Sequence, residues 1–277
     1  VLVSTPIGNL GDMTPRAVAA LKACDLILCE DTRVSGRLLQ RYDIRARLQP
    51  MHDHNEEGRI APVIALLREG RRVGVISDAG MPLVSDPGYR LVRAVLAEGL
   101  PVGALPGANA ATLALVLSGL PPQPFLFLGF PPPRQAARRG AFAALRAAER
   151  AGLAATLLYY EAPHRLAETL ADMAEVFGPR PAAVARELTK RFEEIRRDSL
   201  PALAAHYAAQ AARGEITIVI GPPPEEEVGA LDVDALLREA LAKVSLKEAV
   251  AQVTAKTGLP RKQIYARALS LPERPNE

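Results

Sequence analysis

The chain has 277 residues, 49% of them hydrophobic, and 34 Lys and Arg against 31 Asp and Glu give it a net charge of +3. That length buries two or more cores, and apolar runs interrupted by charge, Gly or Pro argue against a membrane span and a secretory leader, so a cytoplasmic location is expected. Arg dominates the basic residues and suits bidentate phosphate contacts, although a GC-rich genome produces the same bias. Cys24 and Cys29 flank an apolar run and supply no metal-ligand pattern; they read as reduced, packed thiols, and no metal is expected.

In chain order, a strand is predicted over Val1–Ser4, a helix from Pro15 with Thr14 as its cap, a strand over Leu26–Cys29 and helices near Ser35–Arg41 and Ile60–Glu69. A strand over Val73–Ser77 follows, then a helix over 88–98 capped by Asp86 or Ser85, a strand over Val102–Ala104 and a helix from Asn109. Such alternation implies a parallel sheet wrapped by helices. Gly and Pro between Leu117 and Pro124 break it and place a domain boundary after residue 118. Residues 119–224 read as a mixed α/β domain, with strands over Phe125–Leu128, Ala155–Tyr160, Ala182–Arg186, Phe192–Ser199 and Ile216–Ile220. Its helices fall at about 136–151, 165–177 and 201–212. The prolines at 222–224 and Glu225 to Glu227 form a linker to a helical tail over 230–277. Within that tail, helices over Leu246–Thr257 and Arg261–Leu269 joined by Gly258-Leu259-Pro260 resemble a helix-turn-helix. Arg261, Lys262, Tyr265 and Arg267 suit a phosphate backbone, and an ordinary three-helix docking module accounts for the same residues.

The chemistry gathers at predicted strand ends, where open α/β sheets bind ligands. Ser77-Asp78-Ala79-Gly80-Met81-Pro82-Leu83-Val84-Ser85-Asp86-Pro87-Gly88 is long for a plain connection and reads as a ligand loop. Ser4-Thr5-Pro6-Ile7-Gly8-Asn9 follows the first strand without being a phosphate loop, since neither GxGxxG nor GK[ST] occurs there. Cys29-Glu30-Asp31-Thr32-Arg33 brings carboxylates and a guanidinium to the same edge, either as a salt bridge or to handle a polar substrate. Pro106-Gly107-Ala108-Asn109-Ala110-Ala111 leaves room for a flat adenosine-like group or packs a helix tightly on its strand.

Taken together and in this order, STPIGNL, CEDTR, SDAGMPLVSDPG, PGANA, YYEAPHR and ARELTK resemble the tetrapyrrole methylase superfamily along nearly the whole chain. Within it the chain is similar to the branch that methylates the ribose 2′-hydroxyl of a cytidine in 16S rRNA. Corrin-ring members show GxGPGD-like and GDP-like loops, from which Thr5-Pro6-Ile7-Gly8-Asn9 and Gly80-Met81-Pro82 depart in the direction of the RNA enzyme.

The resemblance implies two α/β domains of the tetrapyrrole methylase type with S-adenosylmethionine in the interdomain cleft, a small C-terminal helical module, and a homodimer acting on 16S rRNA in the small ribosomal subunit. It implies donor contacts from Pro6, from Gly80, Met81, Pro82, Val84 and Ser85, and from Ala108, Asn109, Ala110 and Ala111. The second domain would add Tyr160, Arg186, Glu187, Leu188, Glu215, Ile216 and Thr217. Met81 stands where family members use an Asp, so Asp78 or Ser85 is the expected substitute.

Methyl transfer depends chiefly on positioning, with a carboxylate or imidazole assisting by accepting the hydroxyl proton. Asp31 and Glu187 rank first because Arg33 and Lys190 stand near to orient them; Asp78, Glu161, His164 and His54 are further candidates. Arg33, Arg37, His54, Arg165, Lys190 and Arg191 are the expected RNA contacts, joined by Arg261 and Lys262 in the tail. Two alternatives are a precorrin C-methyltransferase, against which the basic tail and altered loops argue, and a non-catalytic RNA-binding factor on the same fold.

Overall fold

The computed structural model describes residues 1–224, 233–257 and 259–271. Glu225 to Glu227 of the predicted linker and Gly258 of the predicted turn lie outside the described residues. By compactness the chain divides into two units, residues 1–145 with 155–222, and residues 146–154 with the chain after 222.

In the first unit, β1 (Leu2–Val3), β2 (Leu26–Cys29), β3 (Arg47–Pro50), β4 (Val73–Val75) and β5 (Ala104–Leu105) form a sheet ordered β3-β2-β4-β1-β5, with every pair parallel. β2 and β4 are buried throughout, as apolar central strands covered on both faces must be. Ala17 and Leu21 of α1 (Pro15–Lys22) and Leu39 of α2 (Thr32–Arg41) share one core with this sheet. Val63 of α3 (Glu56–Arg68) and Leu91 and Val95 of α4 (Tyr89–Ala97) share another. The parallel sheet predicted from the alternation is therefore present.

Local differences have local causes. β3 carries no β-branched signal and contains Pro50; it sits at the sheet edge, where a proline's missing N–H costs no ladder bond. The second helix begins at Thr32, not near Ser35, because the Asp31 carboxylate caps it by accepting the Arg33 N–H at 2.8 Å. Thr14 caps α1 as predicted, accepting the Ala17 N–H at 3.1 Å. Neither Asp86 nor Ser85 caps α4. Gly88, at φ +122°, precedes it without a side-chain cap, and buried Glu56 reaches across from α3 to accept the Leu91 N–H at 2.9 Å.

The second sheet is ordered β6-β7-β10-β8-β9, from β6 (Phe125–Phe127), β7 (Thr156–Glu161), β8 (Pro181–Arg186), β9 (Glu194–Ser199) and β10 (Ile216–Ile220). Only β6 and β7 pair in parallel. Alternate residues divide its two faces. Leu157, Tyr159, Val184 and Ile218 share a core with Phe142 of α6 (Gln135–Arg150), Met173 of α7 (Leu166–Phe177) and Leu203 of α8 (Leu200–Ala209). Leu158, Ala183, Ala185 and Val219 meet Ala111, Ala114 and Leu115 of α5 (Ala110–Ser118), the helix that leaves the first sheet.

In the second unit, α9 (Val233–Leu241), α10 (Leu246–Thr257) and α11 (Arg261–Ser270) enclose their own core around Leu237, Val250, Val253 and Ile264. Arg267 is engaged there by Asp234 at 2.8 Å.

A buried ion network ties α6 to α7. Asp172, 1% exposed, accepts from Arg138 Nε at 2.7 Å, Arg139 Nε at 2.6 Å and Gln135 at 3.2 Å, and Arg138 is equally buried. Asp172→Ala should cost about 3–5 kcal/mol by leaving Arg138 buried and uncompensated. Urea unfolding checks this, and an unchanged midpoint would refute it.

Candidate active site

The end of β1 ties two loops together. Thr5 and Gly80 exchange backbone hydrogen bonds at 2.9 and 3.1 Å, and the Thr5 hydroxyl donates to the Ser77 carbonyl at 3.1 Å. The Ser4 hydroxyl donates to the Ala108 carbonyl at 2.7 Å. Gly107 is required at this contact, since a Cβ there would stand 2.7 Å from that of Ser4. In the 77–88 loop, Leu83 and Ser85 are non-glycine residues at φ +71° and +68°, and strained backbone of this kind clusters at ligand loops.

These loops and the second sheet enclose a cleft of about 250 Å³. From the first sheet's loops it is lined by Gly80, Met81, Val84 and Ser85 and by Asn109 and Ala110, all expected from the sequence. Tyr160, Leu188, Glu215, Ile216 and Thr217 line the opposite wall, again as expected. They converge because β10 runs antiparallel to both neighbours, which sets Thr217 opposite Tyr160 and Ala185.

Pro6, Pro82, Ala108, Ala111, Arg186 and Glu187 are not part of the lining. Ala111 is buried in the core beneath α5, and Arg186 is engaged by Glu194 at 2.5 Å. Glu187 receives Lys190 Nζ at 2.8 Å and the Glu215 N–H at 3.1 Å, and Lys190 holds its carboxyl below the usual range.

Ile7, Ala79, Phe130, Ala185 and Asp86 line the cleft without having been singled out as site residues. Ile7 and Ala185 lie inside motifs already recognised, Asp86 was read only as a helix cap, and Phe130 carries no sequence signal. The Tyr160 ring stands 4.8 Å from that of Phe127 and 5.7 Å from that of Phe130. Burial pushes its hydroxyl pKa up.

The other sequence candidates fall in different settings. Asp31 lies off the cleft lining, and hydrogen bonds from Arg33 hold its carboxyl down to about 2. Asp78 and Glu161 are on the lining. Glu161 is 2% exposed and saturated by the Thr169 hydroxyl, the Ala162 N–H and Arg165. Arg165 turns inward, donating to the Pro131 carbonyl at 2.7 Å, so its guanidinium is spent on the fold. Arg33, Arg37, His54, His164, Arg191, Arg261 and Lys262 are exposed, and Lys190 is held between Glu187 and Glu215. Arg191 lies over the exposed Phe192 ring at 5.6 Å.

Carboxylates dominate the electrostatics. Burial, then Glu30, Asp78 and Asp53, push Asp86 up to about 7. Burial and neighbouring acids raise Glu30 and Asp78 as well, and Asp78 accepts the Asp31 N–H at 3.2 Å. Apolar, small-residue walls beside a group of carboxylates suit a ligand with a flat ring and a positive charge. Among the described residues no group of three or more His, Cys, Asp or Glu is arranged to hold a metal ion.

A family model described as tetrapyrrole (corrin/porphyrin) methylases matches residues 1–204, and one described as the RsmI C-terminal HTH domain matches residues 227–272. The chain belongs to the tetrapyrrole methylase family. Over its whole length it is 45% identical to ribosomal RNA small subunit methyltransferase I of Mesorhizobium japonicum, covering 93% of that protein. It is 43% identical to the Pseudomonas aeruginosa protein of the same name, with 97% of this chain and 95% of that one covered. Among solved structures it resembles diphthine synthase (TM-score 0.60, 13% identity) and uroporphyrin-III-C-methyltransferase from Thermus thermophilus (TM-score 0.54, 23% identity). Each covers 79% of this chain, and the chain covers 88% and 92% of them respectively. No helix among the described residues is long and apolar enough to cross a membrane.

The sign of the Asp86 shift sets a pH dependence. The folded chain holds that proton more tightly than the unfolded one, so the associated stability is complete below the ordinary carboxylate range and lost as pH rises through about 7. Asp86→Asn should therefore raise the melting temperature at pH 8 more than at pH 4. Equal shifts in thermal melts at the two pH values would contradict it.

Proposed function

We propose that this chain is an S-adenosylmethionine-dependent methyltransferase that modifies the ribose 2′-hydroxyl of a cytidine in 16S rRNA of the small ribosomal subunit, with the donor in the cleft beneath the 77–88 loop. Full-length likeness to small-subunit rRNA methyltransferases carries this reading.

The cleft fits the donor's chemistry. Ala79, Gly80, Ala110 and Ala185 leave backbone open to a flat purine, Ile7, Val84 and Ile216 supply apolar wall, and Asp78, Asp86 and Glu215 favour a cation. When bound, the donor supplies a methyl group already activated on a sulfonium. The protein's part is then to orient the nucleotide, exclude water and accept a proton. Arg33, Arg37, Arg191, Arg261 and Lys262 are the proposed phosphate contacts, each exposed and basic. We also infer domains over 1–118 and 119–224, a helical module over 230–277, and a homodimer.

Methyl-labelled donor incubated with unmodified small subunits should yield 2′-O-methylcytidine after nuclease digestion and mass spectrometry. Label on a precorrin instead would establish the macrocycle alternative, and label on neither would favour the non-catalytic one. Arg33→Ala should weaken subunit binding and lower the salt slope by about one, leaving donor affinity unchanged. Titration at several salt concentrations checks this, and a loss of donor affinity would move Arg33 into the donor site.

A further inference from the structure

We propose that Asp86 is the base that accepts the ribose 2′-hydroxyl proton during methyl transfer, an assignment that rests on the cleft being the donor site. Four carboxylates line the cleft, Asp78, Asp86, Glu161 and Glu215. A base must keep a lone pair free for the incoming proton, and three of the four are already engaged. Glu161 is saturated by Thr169, Ala162 and Arg165, Glu215 is bridged by Lys190 at 3.1 Å, and Asp78 accepts the Asp31 N–H. Asp86 is met by the neutral Ser77 hydroxyl.

Position supports the choice. Asp86 follows Ser85 at φ +68° and precedes Pro87, so the backbone that carries it is preset. The charged groups facing it most closely are Asp78 from the end of β4, Glu30 from the end of β2 and Asp53 from the segment after β3. Tyr160 faces it from β7, and His52 lies behind Glu30. These neighbours and burial raise its basicity toward neutrality, where a general base combines ionisation with driving force. Asp31 and Glu187 are shifted the other way by Arg33 and Lys190, and a weakly basic carboxylate takes a proton poorly.

The step balances. The ribose oxygen's lone pair forms the bond to the methyl carbon, the electron pair of the methyl–sulfur bond returns to sulfur, and the hydroxyl proton passes to the Asp86 carboxylate and then to solvent. The donor's positive charge ends as that proton.

Single-turnover methyl transfer to small subunits by the full chain tests this. The wild-type rate should rise with pH through a midpoint near neutrality, and Asp86→Asn should remove that limb and slow transfer about a hundredfold. Calorimetric affinity for S-adenosylmethionine should stay within about threefold, a change under 1 kcal/mol. In the ligand-free protein, a side-chain carboxyl carbon signal titrating near neutral pH should vanish in Asp86→Asn. Asp86→Glu should restore part of the rate with a displaced midpoint. Asp86→Asn with an unchanged rate or pH limb overturns the assignment, as does a collapse of donor affinity that accounts for the lost rate. If Asp86→Asn does not fold, the midpoint in Asp86→Glu decides, and an unmoved midpoint refutes the proposal. Absence of any transfer by the wild-type protein overturns the functional reading itself, which separates the two failures.

Discussion

The site depends on one helix with small side chains. α5 leaves the first sheet at Asn109, whose side chain caps it by accepting the Thr112 N–H at 3.0 Å, and sets Ala111 and Ala114 against Ala183 and Ala185 of the second sheet. Alanine on alanine lets a helix approach a sheet closely, and a larger residue on either surface would displace one sheet from the other. The Ser4–Ala108 hydrogen bond and the close fit of Gly107 to Ser4 fix where that helix starts. Asn109 and Ala110 on its first turn and Ala185 beneath it then become parts of the same wall.

The cleft trades stability for chemistry. Glu30, Asp78 and Asp86 are gathered near two adjacent strand ends, where burial and mutual repulsion raise all three. A fold selected for stability alone would disperse them or pair them with cations, as it does for Asp172 between Arg138 and Arg139. The contrast between these acidic sites separates a structural ion network from a ligand site without reference to any relative.

Much of the framework was legible before the structure. β2 and β10 fall on their predicted residues because continuous apolar runs of that length have few alternatives in a sheet buried on both faces. Thr14-Pro15 marked a helix start because capping and fixed φ are local properties. β3 escaped notice because its pairing is supplied by β2, not by its own side chains. The α4 cap was misassigned because the donor at Leu91 is satisfied by Glu56, 35 residues away.

The cleft shows the same division. Loop composition at strand ends identified Gly80, Ser85, Asn109 and Tyr160 as wall residues, since glycine, capping and strand-end signals are written in short stretches. Phe130 and the setting of Asp86 depended on contacts between segments far apart in the chain. The sequence by itself determined the alternating framework, the family and the loops that bear the chemistry, because these follow from local periodicity and motif order. Which carboxylate stands unpaired in the cleft was decided by the tertiary structure alone, because burial and the fields of Glu30, Asp53 and Asp78 exist only once three strand ends have been brought together.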